Sequence, residues 1–163
     1  MNLFINDKVP DADVFQLIDN EPVKKSIFNY LKNKKVILIG MPGAFTSTCS
    51  QKHLPGYINH LENFRLVGID YLICICVNDP FVMDAWGKIN NAKNEILMLA
   101  DPFAEFTKKL GAEVDKSDRG LGIRSKRYSM ILKDAKVVYL GTEKETSHCE
   151  ISAAENILSK IKE

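Results

Sequence analysis

Val36-Ile-Leu-Ile-Gly-Met-Pro-Gly-Ala-Phe-Thr-Ser-Thr-Cys-Ser50 is the stretch on which the reading of the whole chain turns. Its first five residues are apolar and rich in β-branched side chains, which predicts a short buried strand. Pro42 and Gly43 end that strand in a loop. Beyond the loop, Leu54, Ile58, Leu61 and Phe64 recur at helical spacing, which predicts a helix from about Thr48 to Phe64. Pro55 cannot donate to the carbonyl of Gln51, so a bend is expected near the start of that helix. Cys49 then falls in or near a first helical turn. Unpaired N–H groups there, with the positive end of the helix dipole, favour a thiolate over a thiol.

The same strand-then-helix unit recurs downstream. Residues 69–77 read as a second buried strand, and Asn78-Asp79-Pro80 opens the helix after it. Ile96-Leu-Met-Leu-Ala100 is a third strand, stopped by Asp101-Pro102, with a helix running on to about Leu110. A polar, glycine-bearing loop is expected over 111–125. Strands near 127–132 and 136–140 are joined by Lys133-Asp134-Ala135, a connection short enough to force an antiparallel hairpin. Ser152 and Glu155 read as a capping box for a last helix whose buried stripe is Ile157, Leu158 and Ile161. This order predicts the α/β class: a mixed central sheet covered by helices on both faces, best matched by a thioredoxin-like fold. No repeat, low-complexity segment or linker divides the chain, so one domain over residues 1–163 is expected.

Composition narrows the class of function. Apolar residues are 45% and charged residues 26% of the 163, an ordinary globular balance. A formal net charge of +1 gives no electrostatic case for nucleic acid or an acidic membrane surface. No apolar run approaches the roughly 20 residues of a membrane helix, and the N-terminus reads as lacking a secretory signal. The expected location is therefore cytoplasmic. The four cysteines, Cys49, Cys74, Cys76 and Cys149, form no CxxC pair and are too sparse for a disulfide scaffold. Free thiols in a reducing compartment follow.

Cys49 has two readings: a buried structural thiol beside a capping threonine, or a nucleophile. Thr46 and Thr48 offer hydroxyls both to cap the helix and to orient an incoming oxygen. A second cluster, Gly120-Leu-Gly-Ile-Arg124-Ser-Lys-Arg127-Tyr128, puts two arginines at the mouth of a strand. They read either as solvated surface charges or as cations entering a core edge, where an anionic partner such as a thiolate is needed. Cys49 and His53 lie one helical turn apart and His148 adjoins Cys149, but no pair has the spacing of a zinc site, so no metal is expected. His60 reads as a solvated helix residue, and Trp86 as packing.

Four blocks together resemble the type II peroxiredoxins. They are Pro42–Ser50 with His53-Leu-Pro-Gly-Tyr57; Cys76-Val-Asn-Asp-Pro-Phe-Val-Met83 with Ala85-Trp-Gly-Lys88; Leu99-Ala-Asp-Pro102; and Asp118-Arg-Gly-Leu-Gly-Ile-Arg-Ser125 with Lys126-Arg-Tyr128. The likeness runs in order from about Asp7 to Ile161. It implies that Cys49 is the peroxidatic cysteine that becomes a sulfenic acid. Thr46 is then the threonine that contacts sulfur and peroxide, Pro42 the proline that shields them, and Arg127 the arginine that favours the thiolate and polarises the O–O bond. One departure is plain: the family usually carries proline where this chain has Ser47, and serine gives a more mobile loop without removing a catalytic group.

The resemblance implies a peroxidase that works without flavin, haem or metal. It reduces hydrogen peroxide and alkyl hydroperoxides and is regenerated by glutathione with glutaredoxin or by thioredoxin. Cys74 falls where plant-like members carry a second, resolving cysteine. Cys149 lies near the resolving cysteine of animal members, about two residues out of place. A one-cysteine cycle stays open beside both, and Cys76 is a weaker candidate. A homodimer is expected from the family. The alternative is a thiol redox sensor whose oxidised Cys49 is read by a partner protein; a disulfide oxidoreductase lacks the second cysteine its motif requires.

Overall fold

The computed structural model describes residues 1–92 and 94–162. In chain order the elements are β1 (Asp13–Ile18), β2 (Glu21–Ser26), α1 (Phe28–Leu31) and β3 (Lys35–Met41). A π-helical turn (Cys49–His53) then leads into α2 (Leu54–Asn59) and α3 (Leu61–Leu66). Next come β4 (Tyr71–Cys76), α4 (Pro80–Ile89), β5 (Ile96–Ala100) and α5 (Glu105–Lys109). The short pair β6 (Glu113–Asp115) and β7 (Ile123–Ser125) flanks a 3-10 turn, Ser117–Arg119. The long hairpin β8 (Tyr128–Lys133) and β9 (Lys136–Thr142) precedes α6 (Ala154–Lys162).

Seven strands form the main sheet in the order β2-β1-β5-β4-β3-β8-β9. The central β5, β4 and β3 run parallel, and β1 and β8 flank them antiparallel. The expected mixed sheet is therefore present. Alternation along β3 sends Ile37, Ile39 and Met41 to one face and Val36 and Leu38 to the other. The first face packs against Tyr57, Phe64, Trp86 and Ile157 of the helices α2, α3, α4 and α6. The second packs against Leu31, Phe106 and Leu110 from the α1 and α5 side. Both faces are covered, as a buried parallel sheet requires. Among the described residues, no helix is long and apolar enough to cross a membrane.

Several expectations need correction. The helix of 48–64 is not one bent helix. Ahead of Pro55 it widens into a π turn in which Leu54 N–H donates to the Cys49 carbonyl, and it breaks again at His60. The wider turn suits a residue that has no N–H to donate and whose ring crowds the preceding turn. Residues 111–125 are not a plain loop, because β6 and β7 pair across them. The capping box fails: the Ser152 hydroxyl donates to Glu143 Oε1, and Glu155 Oε1 faces His60 Nε2. Asp79, in contrast, caps α4 as expected by accepting from Val82 N–H at 2.9 Å.

Candidate active site

The loop after β3 is fixed before the helix begins. Pro42 and Gly43 are buried. Ala44 N–H donates to Asn78 Oδ1 at 2.9 Å, tying the loop to the segment that follows β4. Phe45 takes a left-handed φ of 62° and is left exposed. The Ser50 N–H to Thr46 carbonyl bond, 3.0 Å, is the first of the helix, so Thr46 stands at its entry. Cys49 is two residues past the first helical residue, Ser47, and is fully buried. Neither threonine caps the helix as the sequence suggested. Thr46 Oγ1 donates to the Gly43 carbonyl at 2.7 Å, which leaves its lone pairs free to accept, and Thr48 already lies inside the helix without a side-chain cap bond.

Arg127 enters this site from the residue before β8 and is 1% exposed. Its Nη2 donates to Cys49 Sγ at 3.2 Å and to the Thr146 carbonyl at 2.8 Å, while Nε donates to the same carbonyl at 3.1 Å. Nη1 lies 3.0 Å from His53 Nδ1. A guanidinium only donates, so Nδ1 is the acceptor and the imidazole proton is on Nε2. Nε2 then donates to the Ser152 carbonyl at 3.0 Å. Burial, with the Arg127 charge alongside, pushes His53 down to about 3, so both contacts are those of a neutral ring. Among the described residues no carboxylate forms an ion pair with Arg127.

The Ser152 carbonyl is a node. Tyr57 Oη (2.7 Å) and Ser129 Oγ (2.9 Å) reach it along with His53. Burial raises the Tyr57 phenol well above its ordinary value, which keeps it a donor. Glu143 Oε1 holds Ser152 from the other side through its N–H and hydroxyl, and accepts from Glu150 N–H as well. Burial alone lifts the Glu143 carboxyl, but these donors outweigh it and leave the group below its ordinary value.

A pocket of about 110 Å³ opens beside this cluster, with Pro42, Thr46, Thr48, Arg127 and Thr146 in its wall. Two of its neighbours differ sharply from each other. Arg127 touches the sulfur. Arg124 does not: its Nε donates to the Leu121 carbonyl at 2.8 Å, and its Nη1 lies where a Cβ on Gly43 would come within 2.7 Å. Of the two readings of the arginine cluster, Arg127 fits the buried one, and half-buried Arg124 braces the Pro42–Gly43 loop.

The remaining cysteines are differently placed. Cys74 and Cys76 share one face of β4, both buried in the same core as Cys49. Burial, then the neighbouring Cys74, raises the Cys76 thiol well above its ordinary value. Cys149 is half-buried in a groove with Gln51, His53 and Gly56, and burial raises its thiol too. Trp86 is fully buried, and its indole N–H donates to Ser50 Oγ at 3.0 Å, which anchors the active-site helix to α4. His53, Thr146 and Ser152 were not found as site residues from the sequence. For His53 the signal was present in its one-turn spacing from Cys49, weighed there only as a metal pair. Thr146 contributes a backbone carbonyl, which no side-chain pattern announces.

Comparison with known proteins shows the family. The Redoxin family model matches residues 5–158. Peroxiredoxin-2B of Arabidopsis thaliana is 41% identical over 158 residues, covering 96% of this chain and 97% of the relative. The reduced Prx3 of Vibrio vulnificus in complex with H2O2 superposes with a TM-score of 0.92 at 42% identity, covering 98% of this chain and 99% of that one. Its oxidised form gives 0.88 at 44% identity over 96% and 98%. The chain belongs to the type II peroxiredoxins, thiol-dependent peroxidases of the redoxin family.

Proposed function

We propose that Cys49 is the peroxidatic thiol and that Arg127, Thr46 and Pro42 complete its site. The observation that carries this is the Arg127 Nη2 bond to Cys49 Sγ, 3.2 Å, at the wall of a pocket shared with Thr46. A buried guanidinium without a carboxylate partner is costly, and a sulfur anion beside it offsets that cost. The thiolate attacks the terminal peroxide oxygen and the O–O bond breaks. Sulfur is oxidised to a sulfenic acid, and the departing oxygen takes a proton to leave as alcohol or water. Arg127 Nη2 can follow the negative charge from sulfur to the oxygens. Thr46 Oγ1, its proton committed to Gly43, accepts from the peroxide, and buried Pro42 keeps water from the sulfur.

In the return half, a thiol condenses with the sulfenic acid to a disulfide and water, and a second thiol releases the reduced enzyme. The substrates are hydrogen peroxide and alkyl hydroperoxides, and the reductant is glutathione with glutaredoxin, or thioredoxin. Solvent access favours Cys149 over the core-buried Cys74 as an internal resolving thiol, beside a one-cysteine cycle. The chain acts as one domain, in the cytoplasm, and as a homodimer. Support for the dimer lies in Phe45, Phe81 and Phe103, all exposed and all in segments following the carboxyl ends of the adjacent strands β3, β4 and β5.

The test is peroxide consumption with glutathione–glutaredoxin and with thioredoxin in parallel, on the wild type and each Cys→Ser variant. Cys49→Ser is expected to abolish turnover and Cys76→Ser to leave most of it. A Cys49→Ser protein that still cycles overturns the assignment. A wild type that oxidises once and does not turn over with excess dithiol is a sensor and not a peroxidase.

A further inference from the structure

Beyond the reacting residues, the rim of the active-site pocket carries Lys116 and Arg119. Both come from the segment between β6 and β7, and that segment is held in shape. Lys116 N–H donates to the Gly122 carbonyl at 2.8 Å, and Leu121 N–H returns a bond to the Lys116 carbonyl at 3.1 Å. Arg119 ends the 3-10 turn that Gly120 closes at a φ of 70°. A side chain there would be strained, so glycine fixes where the turn stops. The hairpin thus presents two cations at set positions beside the only opening that borders Arg127 and Thr46 among the described pockets.

Neither cation is spent on another of the described residues. Among the described residues no acidic side chain forms an ion pair with Lys116 or Arg119. The nearest acids in sequence are directed elsewhere or exposed: Asp115 Oδ1 accepts from Ser117 N–H at 2.8 Å, and Asp118 is exposed. At about 110 Å³ the pocket is below the size that encloses a drug-like ligand, so it admits a reactive head group and leaves the rest of the molecule at the rim. The two rim cations set a field that holds an anionic group at the mouth while the reactive head enters.

We infer that Lys116 and Arg119 form a carboxylate-recognising rim, so that this site takes small molecules bearing a carboxylate in preference to their uncharged counterparts. The inference rests on Cys49 being the peroxide-reacting thiol and names the substrate class of that site. The carboxylate has two possible sources. One is a hydroperoxy acid in the oxidative half: Cys49 thiolate and ROOH give the sulfenic acid and ROH. The other is glutathione in the reductive half: the sulfenic acid and the thiol give a mixed disulfide and water, and a second glutathione then releases the Cys49 thiol and glutathione disulfide.

The experiment compares wild type with the double variant Lys116→Glu/Arg119→Glu by stopped flow. The oxidative probes are hydrogen peroxide, a short-chain hydroperoxy carboxylate and its neutral methyl ester. The reductive probes, applied to the sulfenic acid, are glutathione and its diethyl ester. The double variant is expected to lose roughly tenfold or more with the carboxylate probe of at least one half-reaction, a typical electrostatic steering effect, and the loss should shrink as salt rises. Hydrogen peroxide and the methyl ester should keep their rates, and the diethyl ester, left with only its ammonium charge, should not slow, which also shows that the variant is folded. Loss with the hydroperoxy acid assigns the rim to the peroxide, and loss with glutathione assigns it to the reductant. If acid and ester respond alike in both halves while hydrogen peroxide still oxidises Cys49, the rim does not recognise carboxylates. If hydrogen peroxide fails to oxidise wild-type Cys49, the underlying reading of the site falls instead.

Discussion

Acidification between pH 7 and pH 5 should destabilise this protein through His53. The ring is 1% exposed, accepts from Arg127 and donates to the Ser152 carbonyl, and is held neutral with its value pushed to about 3. In the unfolded chain it titrates near the ordinary 6.5. From 6.5 down to about 3 the unfolded state therefore binds a proton that the native state refuses, so stability falls as pH falls. Each unit is worth about 1.4 kcal/mol, so His53 removes about 2 kcal/mol by pH 5 and approaches a ceiling of about 5 kcal/mol near pH 3. That is a large share of a typical folding free energy. Glu143 is lowered from 4.5, and its stabilisation is lost as pH falls below that value, so the window above pH 5 lies clear of that carboxyl. Urea unfolding at pH 7, 6 and 5 measures the effect. His53→Gln, which keeps one acceptor and one donor but cannot titrate, should flatten the curve by that amount. Equal pH slopes for wild type and variant would refute the reasoning.

Other outcomes follow from the same contacts. Arg127→Gln should slow oxidation of the reduced protein by hydrogen peroxide by about ten- to a thousand-fold, the range for a lost oxyanion-type donor, and Arg124→Gln by much less; stopped-flow rates in which Arg124 matters more would show the wrong arginine has been placed in the site. Gly40→Ala should cost at least about 1–3 kcal/mol in urea unfolding, because the new Cβ would lie 2.2 Å from Tyr128 Cε1 and Cζ, and the ring is fully buried and cannot swing away. Phe45→Ser with Phe81→Ser should shift light-scattering mass toward the monomer, and a wild type already monomeric at micromolar concentration in both redox states would remove the dimer.

The elements that the sequence shows best are those with one-sided or continuous burial. β3, β4 and β5 are apolar runs closed by Pro, Asp or Gly; the bounds of β5 are as expected, and those of β3 and β4 differ by a residue or two. The hairpin β8–β9 was legible because Lys133-Asp134-Ala135 is too short for any crossover. β2 was missed because Glu21-Pro-Val-Lys-Lys-Ser26 is a polar edge strand with little exposed hydrophobicity to mark it. Its partner signal lay in Asp19-Asn20, whose φ values of 51° and 65° are those of a two-residue hairpin turn. β6 and β7 have three residues each, too few for a period of two to be recognised. The capping box failed for another reason: Ser152 has a buried acid, Glu143, to bond, and that tertiary partner outcompetes the local one.

The site itself divides along the same line. Pro42, Thr46 and Cys49 are one local motif, and a strand leading into a helix is enough to gather them. Arg127 cannot be placed that way, because it depends on how β8 lies against β3. The antiparallel register pairs Leu38 with Met130, Ile39 with Ser129 and Gly40 with Tyr128. Continuing it by one residue sets Arg127 opposite Met41, at the end of β3, where Pro42 begins the loop to Cys49. A slip of one residue would send Arg127 to the other face of the sheet, away from the sulfur. Gly40 is what holds that register in place, since only a residue without a side chain leaves room for the Tyr128 ring across from it. The positioning of the arginine is thus written at residue 40, in a glycine that reads locally as the mere end of an apolar strand. His53 and Thr146 then fix the guanidinium's remaining donors, so the one directed at Cys49 has a single orientation.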